Sequence, residues 1–408
     1  MKYIQGLIKV AVVSLGVTLA SSSLAESLIY RLTSDGSVDT SFNGNGRRID
    51  GGVNTLGYAI AQSGSQYYLT TRDYSASAVY VSRINGDGSV DTSFGYLGVT
   101  GATDPPGDIL SWQSVGAASG SRPMILQKSH VGFHLLRLTA TGASDTAYGL
   151  FGKTQVMPSS SYPQALMQVI GGDKVVVAGS GNATGPVPAR VVRVNNVGAI
   201  EKSTDILVCG RAFNVDSMNV DSTGSVFMLG HTYSDDGPVV SFVLKYTSAL
   251  TSDGQFAPGG IAGCANGYAI PGTVNVGYGG ALAVDASNRV VVAVVDNSFR
   301  VRFLRLDGFG VPDGWAGTYS VPGSPSLVGI DHRLQVTSTG NYMIGGSAVL
   351  GSDERFLTIR LSQWGTGGVD TTYGFGGYRL VSVSGRANGM SDFVLDTSQR
   401  MVCAGGLL

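Results

Sequence analysis

Residues 83–98 read "RINGDGSVDTSFGYLG". Two structures compete for this stretch. Asn85, Asp87, Ser89 and Asp91 place oxygen-bearing side chains at alternate positions, as the first half of a calcium loop does. The same residues also describe two strands meeting at an Asp-Gly turn. The choice is made by the rest of the chain, because the stretch recurs.

Copies begin at Arg31 ("RLTSDGSVDTSFNGNG"), Arg83, Arg137 ("RLTATGASDTAYGLFG"), Arg193 ("RVNNVGAIEKSTDI"), Lys245 ("KYTSALTSDGQFAPGG"), Arg305 ("RLDGFGVPDGWAG") and Arg360 ("RLSQWGTGGVDTTYGFGG"). The steps between them are 52, 54, 56, 52, 60 and 55 residues. Between copies runs a fixed order: an apolar strand, a small polar turn, a second apolar strand, a variable loop, and the strand leading into the next copy. Residues 281–306, "ALAVDASNRVVVAVVDNSFRVRFLRL", show it clearly. Adding a strand after the Asp-Gly turn gives four antiparallel strands per unit, the pattern of a β-propeller blade. The expected fold is all-β: a seven-bladed β-propeller with four antiparallel strands per blade. Residues 27–42 supply only the third and fourth strands of a unit and residues 392–406 only the first two. The N-terminal strands are therefore expected to pair with the C-terminal strands and close the ring, which would remove open strand edges.

In its fuller copies the stretch resembles the delta-60 repeat, a β-propeller repeat of exported bacterial proteins whose function is largely unassigned. The resemblance spans all seven units, strongest from Arg31, Arg83 and Arg360, and it implies a propeller without carrying over any catalytic residue.

The calcium reading fails on the copies. The unit from Arg137 has Thr139, Thr141, Ala143 and Asp145 at the same places, the unit from Arg193 has Asn195, Val197, Ala199 and Glu201, and no closing bidentate glutamate is present. A charge pair does persist: Arg31 with Asp39, Arg83 with Asp91, Arg137 with Asp145, Arg193 with Glu201, Lys245 with Asp253, and Arg305 with Asp313, all eight apart, and Arg360 with Asp370, ten apart. Residues eight apart across a central turn face each other, so each is expected to form a cross-strand structural pair. The aromatics Phe42, Phe94, Tyr148, Phe256 and Tyr373, three residues past the acid, are expected to wedge between neighbouring blades.

Composition agrees with this architecture. Sixty glycines in 408 residues is about twice ordinary usage, and charged residues are only 13%. Lys2 and Lys9, the apolar "VAVVSLGVTLA" (10–20) and small residues up to Ala25 have the form of a secretory signal, so residues 1–25 are expected to be removed on export, leaving a single propeller domain over 26–408. Without those lysines, 25 Lys and Arg face 28 Asp and Glu and no basic stripe appears, which disfavours nucleic acid as a partner. No later apolar run reaches the length of a membrane span. The protein is expected outside the cytoplasm: periplasmic, secreted or on the cell surface. Cys209 ("VCGR") and Cys264 ("GCANG") follow their landmarks at similar distances and are the candidate disulfide, while Cys403 in "RMVCAGG" reads as a buried strand thiol.

Function is sought where the copies differ, in loops carried by the rigid repeats. Those segments hold His130, His231, Asp235, Asp216, Asp331, His332, Arg333 and Asn388, the candidate residues of a binding face around the central channel. The four histidines have no metal-ligand spacing, and no G-x-S-x-G, H-E-x-x-H or phosphate loop occurs. The reading from sequence is a non-catalytic binding or interaction module for a protein or glycan ligand, with no cofactor. Two alternatives stand beside it. One is a metal-dependent, lactonase-like hydrolase or lyase holding a divalent cation with Asp216, Asp331, His332 and Asn388; the other is a structural subunit of a cell-surface assembly.

Overall fold

The computed structural model describes residues 26–50, 55–73, 78–101, 109–158, 162–181, 187–232, 241–258, 260, 267–270, 280–296, 298–323, 327–365, 367–382 and 388–407. These residues are all-β, with one 3-10 turn at Gly171–Asp173 and no α-helix among them. Val-, Ile- and Leu-rich runs bounded by Gly, Asp and Ser turns leave little else available to the chain.

The strands fall into antiparallel sets of four. First strands are Thr55–Ser63, Ile109–Ala118, Ala165–Ile170, Arg211–Val220, Gly280–Val284, Leu327–Val336 and Asn388–Leu395. Each pairs with a second strand across a short turn, the second with a third, and the third with a fourth. In the set opened by Thr55–Ser63 these are Gln66–Asp73, Ala78–Ile84 and Val99–Gly101. In the set opened by Leu327–Val336 two short strands, Gly368–Val369 and Tyr378–Val381, share the fourth position. The sets opened by Ala165–Ile170 and Arg211–Val220 join into one eight-stranded sheet, because Ile200–Val208 turns at Cys209-Gly210 and pairs with Arg211–Val220.

The two ends of the described chain meet in one sheet. Glu26–Leu32 pairs with Met401–Leu407 along its whole length, from Glu26 opposite Leu407 to Leu32 opposite Met401. Arg47–Asp50 and Asn388–Leu395 flank this pair. Neighbouring sets pack face to face: every first strand lies against the first strand of the next set, and Asn388–Leu395 lies against Thr55–Ser63. The core sits in these junctions. Ile29, Phe42, Ile60, Tyr67, Leu69, Ile84 and Val402 form one buried cluster there, drawn from both termini and the first full unit.

Residues 83–98 depart from the expected hairpin in two ways. The turn has three residues rather than two: the Gly88 N–H reaches the Asn85 carbonyl, the Asn85 N–H reaches the Ser89 carbonyl, and only Gly88 has positive φ, at 90°. The fourth strand does not follow the turn directly. Only Val90 bridges back, to Ile84; a second turn over Asp91–Phe94 intervenes, and Val99–Gly101 then pairs with Tyr80–Ser82. The inserted loop is held by Asp91, which accepts from the Ser93 N–H at 3.0 Å and the Ser93 hydroxyl at 2.6 Å. In the copy from Arg193, Glu201 and Ser203 stand at the places of Asp91 and Ser93, but the fourth strand begins at Ile200, straight after the turn.

Met401–Leu407 is the only hydrogen-bonded neighbour of Glu26–Leu32 on one side and contributes a fully buried strand. Deleting residues 401–408 is expected to abolish cooperative folding, read as loss of soluble yield or of the thermal transition by circular dichroism. An unchanged midpoint in the truncated protein would refute the role given to this pairing.

Candidate functional site

The repeated basic residue does more than pair across its own turn. Arg31, Arg83, Arg137, Lys245, Arg305 and Arg360 bind Asp39, Asp91, Asp145, Asp253, Asp313 and Asp370 at 2.7, 2.8, 2.7, 3.0, 2.5 and 2.8 Å. The seventh expected pair does not form. Glu201 binds Lys174 at 2.9 Å, and Arg193 reaches the Gly224 carbonyl instead. The cause is the continuous strand just described, which carries Glu201 past the turn.

Each of these cations also donates to a turn carbonyl of the following unit. Arg31 reaches Gly86, Arg83 Ala140, Arg137 Asn196, Arg193 Ser248, Lys245 Gly308 and Arg305 Gln363. Arg360 reaches Ser34, which joins the last copy to the first across 326 residues. The aromatic lies beneath: the Arg31, Arg83, Arg137 and Arg360 guanidinium carbons stand 4.7, 4.9, 4.6 and 4.9 Å from the ring centres of Phe42, Phe94, Tyr148 and Tyr373. A Cβ on Gly88 would come within 2.9 Å of the Asn43 N–H and 3.1 Å of the Phe42 ring. The turn glycine is thus fixed by its φ and by the preceding unit at once.

The candidate binding residues are dispersed. His130 is exposed in the turn between Arg122–Ser129 and Gly132–Arg137. Asp235 lies outside the described residues, as does Cys264; Cys209 is disulfide-bonded and Cys403 is buried. Asp331, His332 and Arg333 occupy an irregularity in Leu327–Val336, and Asn388 opens Asn388–Leu395; of these four only the Arg333 side chain is described.

Two clusters form. In the first, Asp216 is the extra residue of a bulge between Val215 and Ser217. The bulge turns its carboxylate onto the opposite strand, where it meets His231 Nδ1 at 2.8 Å. His231 Nε2 is 3.3 Å from the Asn214 amide, and both Asp216 and His231 are buried.

The second cluster lines a central cavity of about 540 Å³, whose wall draws residues from all seven first strands. The polar groups include Tyr58, Gln62, Asn219, Arg333 and Asp392. Arg333 binds Asp392 at 3.2 Å and donates to the carbonyls of Ile60 and Phe393, while Asp392 accepts the Ile60 N–H at 2.9 Å. Three first strands are tied together by this pair. Elsewhere side-chain amides cross from one first strand to the next: Gln168 accepts the Val220 N–H at 2.8 Å and Gln335 the Leu395 N–H at 2.7 Å. A strand edge facing a cavity has no further strand to pair with, and these groups supply the missing partners. Arg333 is among the residues expected at this face from sequence; the amides are not, their only signal being polar residues within otherwise apolar strands. Among the described residues no three His, Cys, Asp or Glu side chains converge on a metal-sized site.

Residues 19–42 and 70–94 match the family model described as a domain of unknown function (DUF5122) beta-propeller. These two segments are similar to the repeat of that β-propeller family. Both DUF5122 matches run through a third strand and end on the aromatic under the arginine, Phe42 and Phe94. No curated protein matches the sequence significantly. Among solved structures, a Lactobacillus plantarum protein is similar at TM-score 0.52 and 13% identity, covering 88% of this chain and 100% of that one. A PL25 polysaccharide lyase, an ulvan lyase bound to a GlcA–Rha3S saccharide, is similar at TM-score 0.51 and 9% identity, over 85% and 88% of the two chains. The BP39L lectin of Burkholderia pseudomallei is similar at TM-score 0.48 and 11% identity, over 84% and 93%. For the first two of these, at such identities, the likeness concerns the fold alone.

The junction carboxylates set a pH response. The Ser93 hydroxyl above all, with the Ser93 N–H, Gln66 and Arg83, lowers Asp91 from 3.8 to about 2. Burial opposes the shift at Asp39, Asp253 and Asp370, yet hydrogen bonds and the paired cation hold all three below the ordinary value. A depressed folded-state pKa gives stability that is complete above the unfolded value of 3.8 and is lost as pH falls toward 2. Asp91→Asn is expected to cost about 1–2 kcal/mol at neutral pH, allowing for solvent screening. Thermal midpoints of the two proteins should converge as pH falls from 4 toward 2. A gap that stays constant over that range would exclude this origin.

Proposed function

We propose that the seven sets of strands are the blades of one closed seven-bladed propeller, exported from the cytoplasm, that acts as a non-catalytic binding module with its ligand site in the central cavity. The observation that carries this reading is the cavity wall: seven first strands each contribute to it, and polar groups from several of them face one space. Its size is that of a small-molecule site. The pairing of Glu26–Leu32 with Met401–Leu407 and the reach of Arg360 to Ser34 support closure.

The lining alternates amides, a phenol and hydroxyls with Ala, Val, Leu and Met side chains, and its one described ion pair, Arg333 with Asp392, is internally neutralised. Such a surface suits a ligand with hydroxyls and C–H faces, so short saccharides are the first probes. Saturation-transfer NMR with neutral and uronic mono- and disaccharides is expected to show binding that Asn219→Trp, which fills the cavity, removes. Absence of any saccharide signal, or a signal indifferent to Asn219→Trp, would overturn this assignment.

A second reading, a metal-dependent hydrolase or lyase, rests on the Asp216–His231 contact, a carboxylate and an imidazole already in register on adjacent strands. Under the binding-module reading, chelation leaves the thermal midpoint of the purified protein unchanged. A divalent ion found at stoichiometric level in the protein and lost in Asp216→Asn would favour the enzyme.

A further inference from the structure

Thirteen large apolar side chains stand exposed among the described residues, and nine of them lie in the connections between third and fourth strands. In antiparallel sets with one order of strands, these connections all leave the same end of the molecule. The tips include Tyr96 and Leu97 in one connection, Leu150 and Phe151 in the next, and Trp364 and Phe375 in the unit from Arg360. Their exposures run from 64% at Leu97 to 83% at Tyr96. Leaving so much aromatic and aliphatic surface in water at one end marks an interaction surface.

The tips are not on loose loops. Gly95 N–H donates to the Thr141 carbonyl and Gly149 N–H to the Val197 carbonyl, each at 2.8 Å, so the backbone beneath Tyr96 and Leu150 is bound to the adjoining unit. Little conformational entropy remains to be lost when the tips are buried by a partner. Cations stand at the feet of two of these connections: Lys153 and Arg379 lie at the start of fourth strands, with the Arg379 guanidinium 4.8 Å from the centre of the Phe375 ring. Of the acids of these loops, Asp39, Asp91, Asp145 and Asp370 are turned inward to their own arginines, while Asp35 and Asp87 are exposed in the turns.

We propose that this end of the molecule docks on a lipid bilayer, the apolar tips entering the interface and the flanking cations meeting anionic headgroups. Three features select a bilayer over a protein. The tips are separate protrusions divided by polar turn residues such as Asp35, Asp87 and Thr141, so they form no groove for a complementary surface. A fluid interface accepts separate protrusions without pairing each one. Trp, Tyr, Phe and Leu above a layer of Lys and Arg is the composition of an interfacial binding surface. The proposal rests on the strand order and stands independently of the cavity ligand.

The test is flotation of the full chain with phosphatidylcholine vesicles containing phosphatidylglycerol, beside pure phosphatidylcholine, together with quenching of tryptophan emission by brominated lipid. The comparison protein is Leu150→Ser/Phe151→Ser/Trp364→Ser, with exposed positions chosen so that folding is retained. Its thermal midpoint checks this, and single variants replace it if the midpoint falls. Flotation on the anionic vesicles, quenching of Trp364, and a fall in binding of about tenfold in the variant are the expected results. Equal flotation of both proteins would mean that residues 1–25, common to the two, carry the binding, and overturns the proposal. No flotation overturns it as well. In that case a dimer in light scattering that the variant dissolves would make this end a contact between copies.

Discussion

A buried guanidinium is tolerable only where its hydrogen bonds and charge are met from more than one side, and here that requirement sets the geometry of the whole chain. The Arg83 side chain, only 8% exposed, finds an anion in its own loop, a ring beneath it and a carbonyl in the next unit. No single unit can satisfy it. The demand is repeated at Arg31, Arg137, Arg305 and Arg360, so each unit completes its neighbour's polar site as well as burying its neighbour's apolar face. Orientation between units, which apolar packing alone would leave loose, becomes fixed by directional bonds.

That fixed frame explains how one sequence can hold rigid repeats and variable surfaces together. The residues under each junction are constrained by the arginine, while the pair two and three residues past the aromatic is not: Gly44-Asn45, Tyr96-Leu97 and Leu150-Phe151 occupy the same place in three copies. On the inner side, Gln168, Gln335 and the Arg333–Asp392 pair settle the edges of the first strands and give the cavity its polar wall.

Much of this was legible in the sequence because it is periodic. The spacing from Arg31 to Asp39 and its relatives marked the pairs and the order of strands, since a contact made in every unit leaves the same trace each time. The position of the fourth strand was not legible. Asp91 caps a local turn instead of joining a ladder, and the letters "DTSF" allow either. The exception at Glu201 was hidden for a related reason: Lys-for-Arg and Glu-for-Asp substitutions preserve charge, whereas the pairing depends on where the strand resumes. Sites built once, such as Asp216 against His231 at a bulge, leave no periodic trace; Asn388 and His332 stand out only as polar residues where the copies differ, at the expected entries to first strands. The apolar tips were hidden inside the repeat itself, where repetition argued for structure.

The hairpin at Cys209-Gly210 makes two of the seven sets one continuous hydrogen-bonded plate, whereas the other sets touch through side chains and turn carbonyls. Ahead of the plate Arg137 meets the Asn196 carbonyl at 2.6 Å; just beyond it Lys245 replaces arginine and reaches Gly308 only at 3.4 Å. Stiffness is therefore distributed unevenly around the molecule. Breathing motions that admit solvent or a ligand between units should concentrate at the seam beyond the plate, so that opening has a preferred side.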